Sequence, residues 1–455
     1  MKGKKLIIVA LVGVILIVAA VFLIVERPSV EPVAERPAEP AVKEVPVYEQ
    51  PFELSVAWWG GAARHERKLA MIEAYMDEFP NATIISQYAT FGDYWTQMAV
   101  LAAADDLPDT FMVQLMYLAQ YATEGFIRPL QDLIDTGKID VTNFTPGALS
   151  ASSIGGSLYG ITMGDTASVV VFNKTLIESV NHPLPWDQMT HTEKAEYLKS
   201  LAEILPDGYF AAALGARHEH IIENFARQKG MPGVITADGK SIGYTREMLS
   251  EFLNFHLSLY EAGVYPPMEV ILEDRPKVWA DSLAGQGRIA YWFTNVNQGK
   301  IFQAGLPDNE LGMVRSPVVD NAVVRNAEVG VCSTWTISAN SEKVYQAAHF
   351  INEMVNNWDL QKIYDMDIGV PGSTVIQQKL IDNLDLTNRV DAMKKREIVL
   401  MREILGSIAP FDGRPAGFAL IIDNLYRMID EVLLGRMTVD QAVETHFNEV
   451  EALLN

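Results

Sequence analysis

From Phe52 onward the chain switches repeatedly between two hydrophobic periods, and that alternation restricts the folds open to it. "FELSVAWW" puts Phe52, Leu54, Val56 and Trp58 two residues apart, the spacing of a strand. Gly60 and Gly61 interrupt it, Leu69, Ile72, Met76 and Phe79 follow at helical spacing, and "PNATIISQYA" supplies a second strand after Pro80. A helical stretch, "DYWTQMAVLAAADD", then leads through Leu107-Pro108-Asp109 into the apolar "TFMVQL". The same alternation continues in "SVVVFNKTLIESV", "RIAYWFTN", "ELGMVRSPVV", "VGVCSTWTIS" with the helix "SEKVYQAAHFINEMVNNW", and a helical region from about Asp385 to Leu454. This pattern predicts an α/β protein. No internal repeat is present, and a length of 455 residues suggests two domains or lobes.

The first 51 residues follow a different plan. Lys2, Lys4 and Lys5 (flank 1–5) precede an unbroken apolar run over 6–25, "LIIVALVGVILIVAAVFLIV". Twenty residues at about 1.5 Å each span about 30 Å, the thickness of a hydrocarbon core, which predicts an uncleaved single-pass transmembrane anchor. The basic flank is expected in the cytoplasm and the body on the extracytoplasmic side of the cell membrane. A cleaved secretory signal would export the body equally. The absence of cysteine near the run argues against a lipid anchor there. Segment 26–51 is rich in proline and charge and poor in large apolar side chains, and is read as an extended tether.

Charge and chemistry remove several classes of function. With 36 Lys and Arg against 58 Asp and Glu, the net charge is −22, which disfavours nucleic acid as a partner. The single cysteine, Cys332, permits no intrachain disulfide. His218 and His220, with Glu219 and Glu223 beside them, read as a solvated helix or loop face, since a metal site requires three or four convergent ligands, so no metal and no cofactor are expected. The chain has no G-x-S-x-G elbow, phosphate-binding loop or H-E-x-x-H motif, so it is not expected to be an enzyme. Aromatic residues carry more information. Trp58 and Trp59 end the first strand just before two glycines, where an α/β sheet opens into its ligand crevice. As neighbours on a strand they face opposite sides. Indole rings at such a mouth suit the apolar faces of sugars, while nearby Asp, Asn, Gln or Arg groups suit their hydroxyls. Tyr94, Trp95, Trp292 and Trp335 also fall near predicted strand or helix ends.

An ordered series of segments resembles the extracellular solute-binding proteins of ABC importers, in particular the carbohydrate-binding group (family 1) that includes maltose-binding protein. It comprises "VAWWGG", "FGDYWTQMAVLAAADDLPDTFMV", "LYGITMGDTASVVVFNK", "PLPWDQM", "GRIAYWFTN", "VGVCSTWTISANSEKVYQAAHFINEMV", "GVPGST" and "GRMTVDQAVE", and spans residues 52–455. The resemblance implies a two-lobed periplasmic-binding-protein-like fold (type II), its discontinuous lobes joined by a hinge. The first lobe would comprise 52–169 and 312–365, the second 170–311 and 366–455, with crossings at "SVVVFNK" and "LGMVRSPV". It further implies capture of a sugar or oligosaccharide and its delivery to ABC permease subunits in the membrane, and a monomer is the default expectation. Alternatives are a non-sugar solute on the same scaffold, or an extracellular carbohydrate-active enzyme. The implied ligand contacts are Trp58, Trp59, Gly60, Arg64, Asp93, Tyr94, Trp95, Gln114, Tyr117, Asp165, Trp292, Asn295 and Trp335. Among these, Trp292 and Trp335 would stack on sugar rings, and Arg64, Gln114, Asp165 and Asn295 would bond hydroxyls. Asp93 could instead cap its helix, and Asp109 reads as a structural turn residue. The missing lipid-anchor cysteine, and Gln114 where relatives often carry an acidic or other polar residue, are departures from the family pattern.

Overall fold

The computed structural model describes residues 46–236, 238–327, 333–407 and 417–454. The expected membrane anchor, residues 26–45 of the expected tether and Cys332 lie outside the described residues, while Tyr48, expected in the tether, packs against Phe79 and His349 with ring centroids 5.4 and 4.7 Å apart. Among the described residues, no helix is long and apolar enough to cross a membrane.

Among the described residues there are ten strands: β1 (Phe52–Trp59), β2 (Ala82–Ala89), β3 (Thr110–Gln114), β4 (Ser153–Ile154), β5 (Ser157–Leu158), β6 (Ile161–Gly164), β7 (Ser168–Asn173), β8 (Tyr291–Asn295), β9 (Leu311–Arg315) and β10 (Ser333–Ile337). The opening βαβ unit forms as the periodicity predicts. β1 and β2 pair in parallel along their full length, joined by the helix Ala62–Glu78, and β1 also pairs in parallel with β3. The five-stranded sheet has the order β2-β1-β3-β10-β6 and is mixed, since β10 runs antiparallel to both β3 and β6. The second sheet, β8-β7-β9, is antiparallel throughout.

Alternation of side chains across β7 divides the core. Val169 and Val171, with Trp292 and Met313 from its neighbours, join a large apolar cluster that also contains the five-stranded sheet and the helices Val344–Asn356 and Arg389–Leu405. Val170 and Phe172, with Tyr291 and Val314, face the opposite way into a cluster with the helices Lys174–Ser179 and His191–Ala202. A third cluster joins the helices Glu219–Gln228, Arg246–Glu261, Phe418–Leu433 and Val439–Leu454. A strand buried on both faces reads as a continuous apolar run, and "SVVVF" is one.

Asp109 holds the first sheet together at its base. Its Oδ2 accepts from the Ser55 amide at 2.9 Å and the Ser55 hydroxyl at 2.8 Å, and its Oδ1 accepts from Ser341 at 2.8 Å. Burial works against the carboxylate, but these bonds and the nearby Lys343 carry its pKa below the ordinary value. This is the structural role expected of it.

Candidate functional site

The carboxyl ends of β1 and β3 lie together in the first sheet, where an open α/β sheet offers its ligand crevice. Two short turns of sequence bring aromatic rings there. Thr90 caps the helix Phe91–Ala103, and the first turns of that helix carry Phe91 and Trp95. Gln114 ends β3 and leads into the helix Leu115–Thr123, whose first turn carries Tyr117. Trp95 and Tyr117 pack together as a tilted pair, with centroids 3.8 Å apart and planes inclined at 31°. Phe91 stands 6.2 Å from Trp95 and Trp59 stands 5.5 Å from it, so Trp59 backs a wall made of Phe91, Trp95 and Tyr117. Trp95 and Tyr117 are half-buried and Phe91 is 41% exposed.

Polar groups continue from this wall along one stretch of backbone. Gln114 lies opposite Ser333 on β10, and Ser333 lies opposite Gly164 on β6. Asp165 follows Gly164, and Ser168, three residues on, lies opposite Asn295 on β8. Asn224, from the helix Glu219–Gln228, donates through Nδ2 to the Ser168 hydroxyl at 2.8 Å. Four buried oxygens along this path have no hydrogen-bond partner: Gln114 Oε1, Asp165 Oδ2, Asn224 Oδ1 and Asn295 Oδ1. Buried polar atoms are normally satisfied, so such a set marks a place where a ligand or water supplies the missing bonds. Burial pushes the Asp165 carboxyl up to about 7, against the pull of the Thr162 hydroxyl that donates to its other oxygen at 3.0 Å.

The chain connecting the two sheets is tightly tied here. Asp165 and Val370 exchange backbone hydrogen bonds of 2.7 and 2.8 Å. The Thr166 hydroxyl donates to Asn297 Oδ1 at 3.0 Å, and Asn297 Nδ2 donates to the Ile368 carbonyl at 2.6 Å. Asp365 and Met366 adopt left-handed φ values of 47° and 57°, two consecutive non-glycine residues in a region that costs each of them about 1 kcal/mol or more.

The expected contacts thus separate into two groups. Trp59, Trp95, Gln114 and Tyr117 are brought together, and Asp165 and Asn295 lie along the same polar path. Others are corrected by their surroundings. Trp335 is 1% exposed, with Phe350 edge-on at 5.6 Å and the Lys68 ammonium 5.0 Å from its ring, so neither face is open to a sugar. Trp292 is 4% exposed and packs against Trp279 and Phe302. Its side chain shares a sheet face with Val171 and Met313, which are core residues. Trp58 is buried, stacked on Tyr88, and donates through Nε1 to His65 Nδ1 at 3.2 Å. Tyr94 is buried and its hydroxyl donates to the Met112 carbonyl at 2.8 Å. Asp93 is exposed and accepts from the Thr90 hydroxyl at 2.7 Å, completing the helix cap that Thr90 begins. Arg64 is committed within the protein, its Nε donating to Asp367 Oδ2 at 2.7 Å. Gly60 makes room for that pair, because a Cβ there would lie 2.6–2.9 Å from the Arg64 side chain.

Phe91 and Asn224 were not among the expected contacts. Phe91 stands directly before the "GDYW" segment, so proximity was an available signal. Asn224 carried none, since its partner Ser168 is 56 residues away in sequence. Among the described residues, no group of three or more His, Cys, Asp or Glu side chains is placed to hold a metal ion.

Comparison with known proteins agrees with this architecture. An extracellular solute-binding protein of family 1 from Alicyclobacillus acidocaldarius is 23% identical, with a TM-score of 0.75 over 89% of this chain and 99% of that one. An ABC substrate-binding protein from Listeria monocytogenes, solved with cycloalternan, is 19% identical, with a TM-score of 0.68 over 89% and 99%. A periplasmic oligogalacturonide-binding protein from Yersinia enterocolitica is 19% identical, with a TM-score of 0.70 over 89% and 99%. These likenesses establish the two-lobed α/β solute-binding fold. Residues 70–382 match the family model for bacterial extracellular solute-binding proteins, and the chain belongs to that family.

Proposed function

We propose that the protein captures a sugar or oligosaccharide between its two lobes and delivers it unchanged to an ABC permease. The observation that carries this reading is the half-open wall of Phe91, Trp95 and Tyr117 beside four buried oxygens without partners. A pyranose ring presents an apolar face to the first feature and hydroxyl donors to the second. The structures with cycloalternan and the oligogalacturonide-binding relative share the fold and lend the reading support.

The lobes are assigned as 52–169 with 312–365 and 170–311 with 366–455, and the hydrogen bonds joining Asp165–Thr166, Asn297 and Ile368–Val370 form the hinge between them. Ligand that touches both lobes only when they close shifts the equilibrium toward the closed form, the shape a permease recognises. Residues 6–25 would anchor the protein in the membrane, with the body held on the extracytoplasmic side by 26–51.

Titration with a panel of oligosaccharides, followed by tryptophan fluorescence and analysis of the recovered sugar, tests the proposal. A saturable change with sugar recovered intact is expected. No response across the panel, or release of new reducing ends, would remove it.

A further inference from the structure

We infer that the ligand is uncharged: a hydroxyl-rich sugar without carboxylate, sulfate or phosphate groups. This rests on the sugar-capture reading and narrows it, since the same fold serves a cycloalternan complex and an oligogalacturonide-binding protein. Three observations support it.

First, the polar path beside the aromatic wall offers amides and a carboxyl. Gln114, Asn224 and Asn295 are neutral, and Asp165 is 3% exposed with one oxygen unpartnered. A sugar hydroxyl donates to such an oxygen, whereas a uronate carboxylate brings a like charge and has no proton to give at neutral pH.

Second, Arg64, the one cation among the thirteen expected contacts, is already matched. It pairs with Asp367 at 2.7 Å, and Arg67 lies 3.9 Å from Asp365 and 4.0 Å from Asp367. Lys394 pairs with Asp365 at 2.8 Å and with Asp391 at 3.6 Å. Lys300 donates from its ammonium to the Asp365 carbonyl, and its amide donates to the buried Glu397 at 2.6 Å. Arg64, Arg67, Lys300 and Lys394 therefore face Asp365, Asp367, Asp391 and Glu397, while burial favours the neutral forms of two members of the cluster, bringing the Lys68 amine, which also lies near Asp367, down to about 7 and raising the Glu397 carboxyl. His65 beside Arg64 adds no charge at neutral pH, because burial and the neighbouring guanidinium lower its pKa. To hold an anionic sugar, Arg64 would have to release Asp367, and breaking a part-buried pair to form another gains little.

Third, the chain carries a net charge of −22, so its long-range field slows the approach of polyanions and leaves neutral sugars unaffected.

The test compares two sets of oligosaccharides matched in length, by calorimetry on the unmodified protein at pH 7.5 in low and in 150 mM salt. The neutral set contains malto-, cello-, xylo- and manno-oligosaccharides, and the acidic set oligogalacturonides and alginate oligomers. The best neutral binder should exceed every acidic one by about 100-fold or more, with an affinity that does not change with salt. An oligogalacturonide or alginate oligomer that binds as tightly as any neutral sugar would overturn the inference while leaving sugar capture intact. Failure of both sets to bind would remove the sugar-capture reading itself, and this inference with it. Asp367→Asn, checked for an unchanged melting temperature, gives a second readout. By freeing Arg64 it should narrow the gap between the sets, and a gap that stays the same would count against the role given to Arg64.

Discussion

The Asp165 carboxyl is buried with one oxygen bonded to Thr162 and the other unpartnered, an arrangement that disfavours its charged form. Its pKa rises from 3.8 in the unfolded chain to about 7 in the native one. Below pH 3.8 both states hold the proton and the native state suffers no penalty. As pH rises through the window from 3.8 to 7, the unfolded chain ionises while the native carboxyl resists, so stability is lost, by up to about 4 kcal/mol at about 1.4 kcal/mol per unit. Asp165→Asn should therefore raise the melting temperature more at pH 8 than at pH 4, and should weaken sugar binding. An equal gain at both pH values in calorimetric scans would show that the carboxyl carries no such penalty. Phe91, being 41% exposed, contributes little to the core. Phe91→Ala should leave urea unfolding within about 1 kcal/mol of the parent while lowering sugar affinity about 3- to 10-fold. At this scale the sequence was legible for chemistry and poor for placement. Adjacent Trp58 and Trp59 must diverge, and they do, Trp58 toward Tyr88 and His65, Trp59 toward Tyr94 and Trp95. Nothing in the sequence around Trp335 reveals that the distant Lys68 and Phe350 close over its ring.

At the scale of elements, β1, β2 and β3 and the helices between them were readable because each pairs with a near neighbour and shows its own period. The strands of the sheet β8-β7-β9 were readable as apolar runs, but their antiparallel pairing was not, since Val169 meets Arg315 across a separation that leaves no local trace. The tie between the connectors was equally invisible. Tyr364 ends the helix Trp358–Tyr364, and its hydroxyl oxygen accepts from the Ile368 amide at 3.0 Å and the Gly369 amide at 3.2 Å. Tyr364→Phe would leave two buried amides without an acceptor, at a cost of about 2–4 kcal/mol. Denaturant titration should show that loss without a change in slope, and a shift under about 0.5 kcal/mol would mean that water replaces the hydroxyl.

For the whole molecule, closure around a ligand predicts a smaller radius of gyration in solution. X-ray scattering with saturating sugar should show a decrease, and identical profiles with and without bound sugar would show capture without lobe movement. The two-lobed fold was legible through the resemblance, because family segments recur in order along the body. The resemblance also named Gln114, Asp165 and Asn295 of the polar path and missed Asn224, whose helix meets Ser168 across 56 residues of sequence.

The turn at Asp365 and Met366 has a consequence for how this protein can change over evolutionary time. Glycine is the substitution that relieves a left-handed backbone, yet at 365 it forfeits the carboxylate that Lys394 grips, and at 366 it removes a thioether side chain that is 1% exposed. Each remedy carries its own injury, so neutral drift has no easy exit from this corner. Homologues should therefore keep both side chains or rebuild the whole corner, and seldom replace just one.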